Sequence, residues 1–70
     1  MKVYLISINW DCHGKVWCAV SDKIPLALES DSFDALLERV KKAAPEIIEL
    51  NAAEPVGILH FVAERREGVE

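Results

Sequence analysis

Alternating apolar residues in the first part of the chain predict two adjacent strands. Over residues 3–10 the alternation places four bulky apolar side chains on one face of a strand. That face consists of Tyr4, Ile6, Ile8 and Trp10. A second alternating run covers residues 15–21, and Gly14 lies between the two runs, where a tight turn needs a permissive backbone. We therefore predict a β-hairpin.

The apolar pattern also predicts how the two strands of this hairpin pair. If residues 12–14 form a three-residue loop with Gly14 in the left-handed conformation, every apolar residue of the first strand meets an apolar partner. The predicted pairs are Asp11 with Lys15, Trp10 with Val16, Ile8 with Cys18, and Ile6 with Val20. This register places Trp10 and Trp17 on opposite faces. One tryptophan is then expected in the core and the other exposed, unless a loop or the tail covers it.

The middle of the chain predicts a third strand and a helix. Pro25 suits the start of a strand or an edge position, and we expect that strand at residues 26–29. Ser32 is the expected N-cap of a helix whose apolar residues recur at helical spacing. The spacing continues through Pro45, which removes a helical hydrogen bond. We expect a kink there, or a first helix ending near Ala43 and a second opening at Pro45.

The last part of the chain predicts one more strand, over residues 56–63, followed by a frayed tail at 64–70. The predicted fold class is therefore α+β, in the order β-β-β-α-β. We expect an antiparallel sheet with the helix packed on one face. Residues 1–70 are expected to form a single domain with its core at about residues 3–62.

Length and charge narrow the range of functions. A chain of 70 residues buries a small core, and domains of this size often gain stability from disulfides, metals or self-association. The formal net charge is −4, whereas nucleic-acid binding calls for a basic face. We therefore expect no nucleic-acid partner, and an acidic surface suits a basic protein. The apolar run that precedes Asp11 is too short to span a membrane, so we predict a cytoplasmic protein with no membrane partner.

Candidate chemistry is concentrated in the stretch DCHGKVWC, residues 11–18. Zinc sites usually combine paired ligand clusters, whereas Cys12 and His13 are adjacent and diverge in a loop. In the predicted register Cys18 lies on the apolar face. Its Cα is then roughly 10 Å or more from the Cα of Cys12, which exceeds the ~7 Å Cα–Cα limit for a disulfide. We predict no metal and no cofactor, with a thiol or metal site at Asp11-Cys12-His13 as the alternative.

Other titratable residues do not form a catalytic set. His60 is in phase with Ile58 and Val62 on the last strand, where we expect a half-buried histidine. No serine has a partnered base, and no carboxylates pair on the strands. We therefore predict no catalytic residues and a protein that is not an enzyme.

Four motifs follow one another over residues 10–40: an acidic turn with glycine, an aromatic-x-Ala strand, an Ile-Pro step and an acidic-hydroxyl helix start. They consist of Asp11 and Gly14, Trp17 and Ala19, Ile24 and Pro25, and Asp31 and Ser32. This order of motifs resembles the HicB-like antitoxin superfamily, and is most similar to a short, stand-alone branch of bacterial proteins of unassigned function. The run PEIIELN, residues 45–51, is similar to the short branch, and the likeness covers about residues 3–62.

This resemblance implies a partial RNase H-like arrangement without the catalytic acids of that fold. It also implies neutralisation of a small, basic mRNA-cleaving toxin by covering the surface of the toxin. Two features depart from the family pattern. The chain ends after the last predicted strand, so we expect no DNA-binding domain, and Leu26 stands where the family often has glycine.

We predict from these observations a non-enzymatic protein that acts through protein–protein contact, as a dimer or tetramer. The alternative is an orphan homo-oligomeric domain with no toxin partner. Trp17 is one expected centre of contact, and exposed acids of the helix are expected to attract a basic partner. The predicted contact residues are Trp17, Asn9 and Ala19, together with Glu38, Glu46 and Glu49. The third or the final strand is expected to present an edge for pairing.

Overall fold

The computed structural model describes residues 2–52 and 57–69. In these residues the chain forms β1 (Val3–Asp11), β2 (Val16–Ser21), β3 (Ala27–Ser30), α1 (Phe33–Ala52) and β4 (Ile58–Glu64). This order confirms the predicted β-β-β-α-β arrangement and the α+β class. The third strand begins and ends one residue later than predicted. The predicted start of the last strand at Val56 lies outside the described residues.

The strands form one mixed sheet in the order β3-β2-β1-β4. β2 runs antiparallel to both β1 and β3, whereas β4 runs parallel to β1. The expectation of a wholly antiparallel sheet is therefore wrong for the last strand. The reason lies in the connection: α1 returns the chain to the end of the sheet where β3 began, and it crosses to the opposite edge. A strand that starts there must run in the direction of β3 and β1.

The hairpin register differs by one residue from the prediction. Asp11 faces Val16, Trp10 faces Trp17, and Ile8 faces Ala19. The turn has four residues, because Lys15 rather than Gly14 adopts the left-handed conformation, with a φ of 54°.

The packing of the helix on the sheet explains why the register predicted from apolar pairs is wrong. Ala19 and Ser21 lie on the face of β2 that the helix approaches. Their small side chains leave room for the close packing that a helix on a sheet requires. The predicted register would have maximised apolar contacts between the two strands of the hairpin. However, it would have placed the larger side chains of Val20 and Cys18 under the helix.

The helix begins at the predicted cap and continues through the proline. The amide of Ala35 donates to the Ser32 hydroxyl at 3.2 Å, which confirms Ser32 as the N-cap. One continuous helix spans Pro45. Of the two predicted alternatives, a first helix ending near Ala43 and a second opening at Pro45 is therefore wrong. The proline is exposed, and Ala44 and Ile48 on either side of it are fully buried. Their packing on the sheet offsets the roughly 3 kcal/mol that an interior proline costs.

The core lies between α1 and one face of the sheet. The buried helix positions recur every fourth residue, which is the spacing of a single helical stripe. They are Leu36, Val40, Ala44 and Ile48, and they pack with Tyr4, Ile6, Ile8 and Ala19 of the central strands. We call this side of the sheet the helix face. Ile24 and Leu26 complete the core.

Candidate interaction surface

The second face of the sheet, which we call the open face, carries apolar side chains that remain exposed. Alternation along the strands assigns its members. They are Val3, Leu5, Ser7, Asn9 and Asp11 of β1, Val16, Cys18 and Val20 of β2, Ala27 and Glu29 of β3, and Ile58, His60, Val62 and Glu64 of β4. Val16 is half-buried, whereas five other large apolar side chains of this face are between 37% (Leu5) and 47% (Ile58) exposed, although strand neighbours flank them. Side chains with this exposure lie on an uncovered sheet surface.

Charge is distributed unevenly over the open face. One row across all four strands contains Val62, Ser7, Val20 and Ala27. The next row contains Glu64, Asn9, Cys18 and Glu29, and Asp11 follows near the turn. None of the strand residues on this face is lysine or arginine. The open face therefore has an apolar part and an acidic end.

A shallow depression of about 430 Å³ lies on the side of the open face formed by β2 and β3. Its lining consists of Cys18, Val20, Ala27, Leu28 and Glu29. A lining of four apolar residues and one acidic residue suits a side chain that combines an apolar stem with a positive charge. Lysine and arginine are side chains of this kind.

The residues predicted to surround Trp17 do not form one surface. Ala19 is fully buried against the helix, and Asn9 lies on the open face. Trp17 is half-buried on the helix face, and its ring lies 5.2 Å from the Trp10 ring and 5.0 Å from the Phe33 ring. The grouping of Trp17 with Asn9 and Ala19 is therefore wrong. It followed from the predicted register, which differs by one residue.

An arginine from the segment after β4 covers the two tryptophans. The Arg65 guanidinium carbon lies 4.3 Å from the centre of the Trp10 ring and 5.7 Å from that of Trp17. The Nε of Arg65 donates to the carboxylate of Glu67 at 2.9 Å, which holds the arginine in place. Guanidinium groups are attracted to the face of an indole ring. The segment after β4 thus supplies the cover that the sequence left as an alternative to an exposed tryptophan.

The acidic helix residues Glu38, Glu46 and Glu49 are all exposed, as predicted, but basic side chains are interspersed among them. Glu38 accepts from Lys41 at 3.2 Å. Glu46 borders a groove of about 300 Å³ that is also lined by Arg39 and Lys42. The surface of the helix is therefore mixed in charge, whereas the strand residues of the open face include no lysine or arginine.

The stretch DCHGKVWC is a hairpin turn built around Asp11. The carboxylate of Asp11 accepts from the backbone amides of His13 at 3.0 Å and Gly14 at 3.3 Å. A Cβ on residue 14 would lie 3.1 Å from this carboxylate, which explains why glycine suits the position. The described residues include no group of three or more side chains suited to holding a metal ion.

Both cysteines are free thiols. Cys12 is exposed, and its Sγ lies 3.7 Å from Nδ1 of His13. Cys18 is half-buried on the open face, so its predicted place on the apolar face under the helix is wrong. His60 is exposed on the open face, beside Leu5, rather than half-buried.

Sequence reasoning missed the apolar residues of the open face, although a signal was present. Val3 and Leu5 are apolar on the side of β1 opposite to Tyr4, and β4 reads ILHFVAE with little alternation. Strands that are apolar on both sides are typical of sheets covered on both faces. Among the described residues, α1 covers one face of the sheet and leaves the other accessible.

The fold and the open face define a small α+β domain with one covered and one accessible side of its sheet. The chain belongs to a family described as a domain of unknown function (DUF1902), which matches residues 3–69. It is similar to the crystal structure of the hypothetical protein TTHA1013 from the extremely thermophilic bacterium Thermus thermophilus. The two chains are 26% identical with a TM-score of 0.74, and the similarity covers 99% of each. No curated protein matches this chain. The one helix in the described residues lacks the apolar length needed to cross a membrane.

Proposed function

We propose that this protein is a non-enzymatic, cytoplasmic binding domain of the HicB-like antitoxin type. Its ligand is a small basic protein, an mRNA-cleaving toxin, and the open face is the surface that binds it. One observation carries the proposal. The open face combines exposed apolar side chains with carboxylates, and none of its strand residues is lysine or arginine.

The two parts of the open face have different roles in this binding. Burial of the apolar part, including Leu5 and Val62, supplies affinity because apolar area leaves water. Glu29 and Glu64 at the acidic end orient a basic partner and increase the association rate. The depression beside Glu29 accepts the stem and head of one basic side chain.

A second copy of the chain is a poor fit for the same face. Stacking two open faces about a two-fold axis sets the carboxylate end against either another carboxylate end or the apolar part of the other copy. The first arrangement repels, and the second buries carboxylates without a counter-charge. A basic partner avoids both costs.

Affinity capture with matched charge reversals tests this proposal. The tagged protein and its Glu29→Lys, Val20→Lys and Glu46→Lys variants are used on lysate of the native host, and each eluate is weighed by native mass spectrometry. We expect the wild-type protein and Glu46→Lys to retain a stoichiometric small basic protein. Glu29→Lys and Val20→Lys should weaken its binding by about tenfold or more, equivalent to about 1.4 kcal/mol.

Identification of the captured protein requires its activity. The isolated basic protein should cleave mRNA, and addition of the wild-type chain should stop the cleavage. Loss of binding in Glu46→Lys with retention in Glu29→Lys would move the site to the helix. A captured protein without nuclease activity would contradict the antitoxin role.

A further inference from the structure

The two edge strands of the sheet differ in how well they are protected. β3 has only four residues, and its Glu29 carbonyl accepts from Nη1 of Arg39 at 2.7 Å. β4 has seven residues, no proline and no lysine, and its single charged residue, Glu64, is at its end. Among the described residues β1 is its one strand neighbour. Long, uncharged edge strands readily pair with another strand, and proteins usually block them.

Alternate residues of β4 direct their backbone amide and carbonyl groups away from β1, towards the free edge of the sheet. The amide of Ile58 donates to the carbonyl of Lys2 at 3.0 Å, so Ile58 directs its backbone groups towards β1. In a parallel pair, residues at every second position share that direction. The backbone groups of Leu59, Phe61 and Ala63 consequently point to the outer edge.

The side chains of these three residues are only partly covered. Among the described residues α1 approaches β2 and β3 rather than β4. Leu59 and Phe61 are half-buried on the helix face, and Ala63 is exposed. The β4 side of the domain is therefore its least covered part.

We infer that two copies of this chain pair through their β4 strands, antiparallel and about a two-fold axis, to form one eight-stranded sheet. With the axis at Phe61, the strand is complementary to itself. Phe61 meets Phe61 of the second copy, and Leu59 meets Ala63, all on the helix face. These are the residues whose backbone groups point outwards, so the same register that pairs the apolar side chains also pairs the amides and carbonyls.

The dimer has a consequence for the open face. Because the axis is normal to the sheet, both helices lie on one side and the two open faces join on the other. Four strands about 4.8 Å apart, with about seven residues at 3.3 Å each, give one open face up to roughly 450 Å². Two joined faces approach the ~800 Å² that one partner contributes to a standard interface. The inference itself stands on the β4 edge and does not require the proposed function.

The experiment measures the mass of the full chain in solution and then blocks the edge. Multi-angle light scattering during gel filtration should give twice the monomer mass of 7.8 kDa. Ala63→Pro removes one outward amide without removing a bond to β1, and proline is tolerated on the free side of an edge strand. We expect this variant to be monomeric with an unchanged far-UV circular dichroism spectrum. Ala63→Gly, which keeps the amide, should remain dimeric.

Two further measurements separate the β4 edge from other interfaces. Val20→Lys on the open face should leave the dimer intact, and loss of the dimer in this variant but not in Ala63→Pro would overturn the inference. A monomeric wild-type chain at all accessible concentrations would overturn it as well.

If Ala63→Pro fails to fold, hydrogen exchange of the wild-type chain replaces it. The Phe61 and Ala63 amides should then exchange about tenfold more slowly at high than at low protein concentration, and equal rates would refute the pairing.

Discussion

The two faces of the sheet have similar apolar residues but different surroundings. On β1, Ile6 and Ile8 are fully buried on the helix face, while Val3 and Leu5 on the open face are 45% and 37% exposed. All four are bulky aliphatic residues that favour apolar contacts. Hydrophobicity alone therefore does not decide which side of this sheet is the core. The position of α1 decides it, and the apolar residues that α1 leaves uncovered form the candidate interaction surface.

Truncation of one residue on each face should separate the faces most strongly. Ile8→Ala leaves a cavity under the helix, and we expect the free energy of unfolding to fall by about 3 kcal/mol. A domain of this size has only about 3–5 kcal/mol in total, so this variant should be largely unfolded near 37 °C. Val20→Ala on the open face should cost about 1 kcal/mol or less. Urea unfolding of both variants checks the difference, and equal losses would contradict the assignment of faces.

Removal of a buried hydroxyl on the helix face should increase the free energy of unfolding rather than lower it. Tyr4 is 2% exposed, and its hydroxyl has no hydrogen-bond partner among the described residues. Tyr4→Phe removes a polar group that folding takes out of water, so we expect a gain of about 1 kcal/mol in the free energy of unfolding. Thermal and urea unfolding measure it. A loss of similar size would mean that the hydroxyl is hydrogen-bonded.

The aromatic cluster at the end of the helix face should respond to the arginine that covers it. Arg65→Ala removes the guanidinium group from Trp10, and we expect a loss of about 0.5–1 kcal/mol with tryptophan emission shifted to longer wavelengths. Arg66→Ala alters the neighbouring, exposed arginine and serves as the matched control. Identical emission spectra for the two variants would show that Arg65 does not cover the indole rings.

The smallest effect is expected at the turn that sets which residues lie on which face. Lys15 adopts a left-handed backbone conformation that glycine enters without strain. Lys15→Gly should raise the free energy of unfolding by about 0.5 kcal/mol, because the relief of strain exceeds the entropy that glycine loses. Chemical denaturation against Lys15→Ala, which retains the strain, isolates this contribution. Equal stability of the two variants would argue against the four-residue turn.

The sequence pattern and the tertiary structure indicate different candidate surfaces for a partner. Sequence reasoning expected a basic partner from the net charge, and it assigned the contacts to Trp17 and to acids of the helix. The exposed acids of the helix lie among lysines and an arginine, while Glu29 and Glu64 border the apolar part of the open face. The difference arises because a face can be assigned to solvent only after the position of the helix is known.

Features that depend on near neighbours along the chain are predictable from the sequence alone. Alternation predicted β1 and β2, Ser32 predicted the start of the helix, and Gly14 predicted the hairpin. Each of these rests on hydrogen bonds or side-chain directions within a few residues, so the local sequence contains all the groups involved.

Three features depend instead on tertiary packing: the hairpin register, the course of the helix through Pro45 and the parallel direction of β4. In each case contacts between distant residues outweigh a local preference. Small residues on β2 make room for the helix, buried neighbours keep the helix continuous, and the crossover sets the direction of the last strand. These contacts form only when the helix packs on the sheet, and the same packing event leaves the open face uncovered.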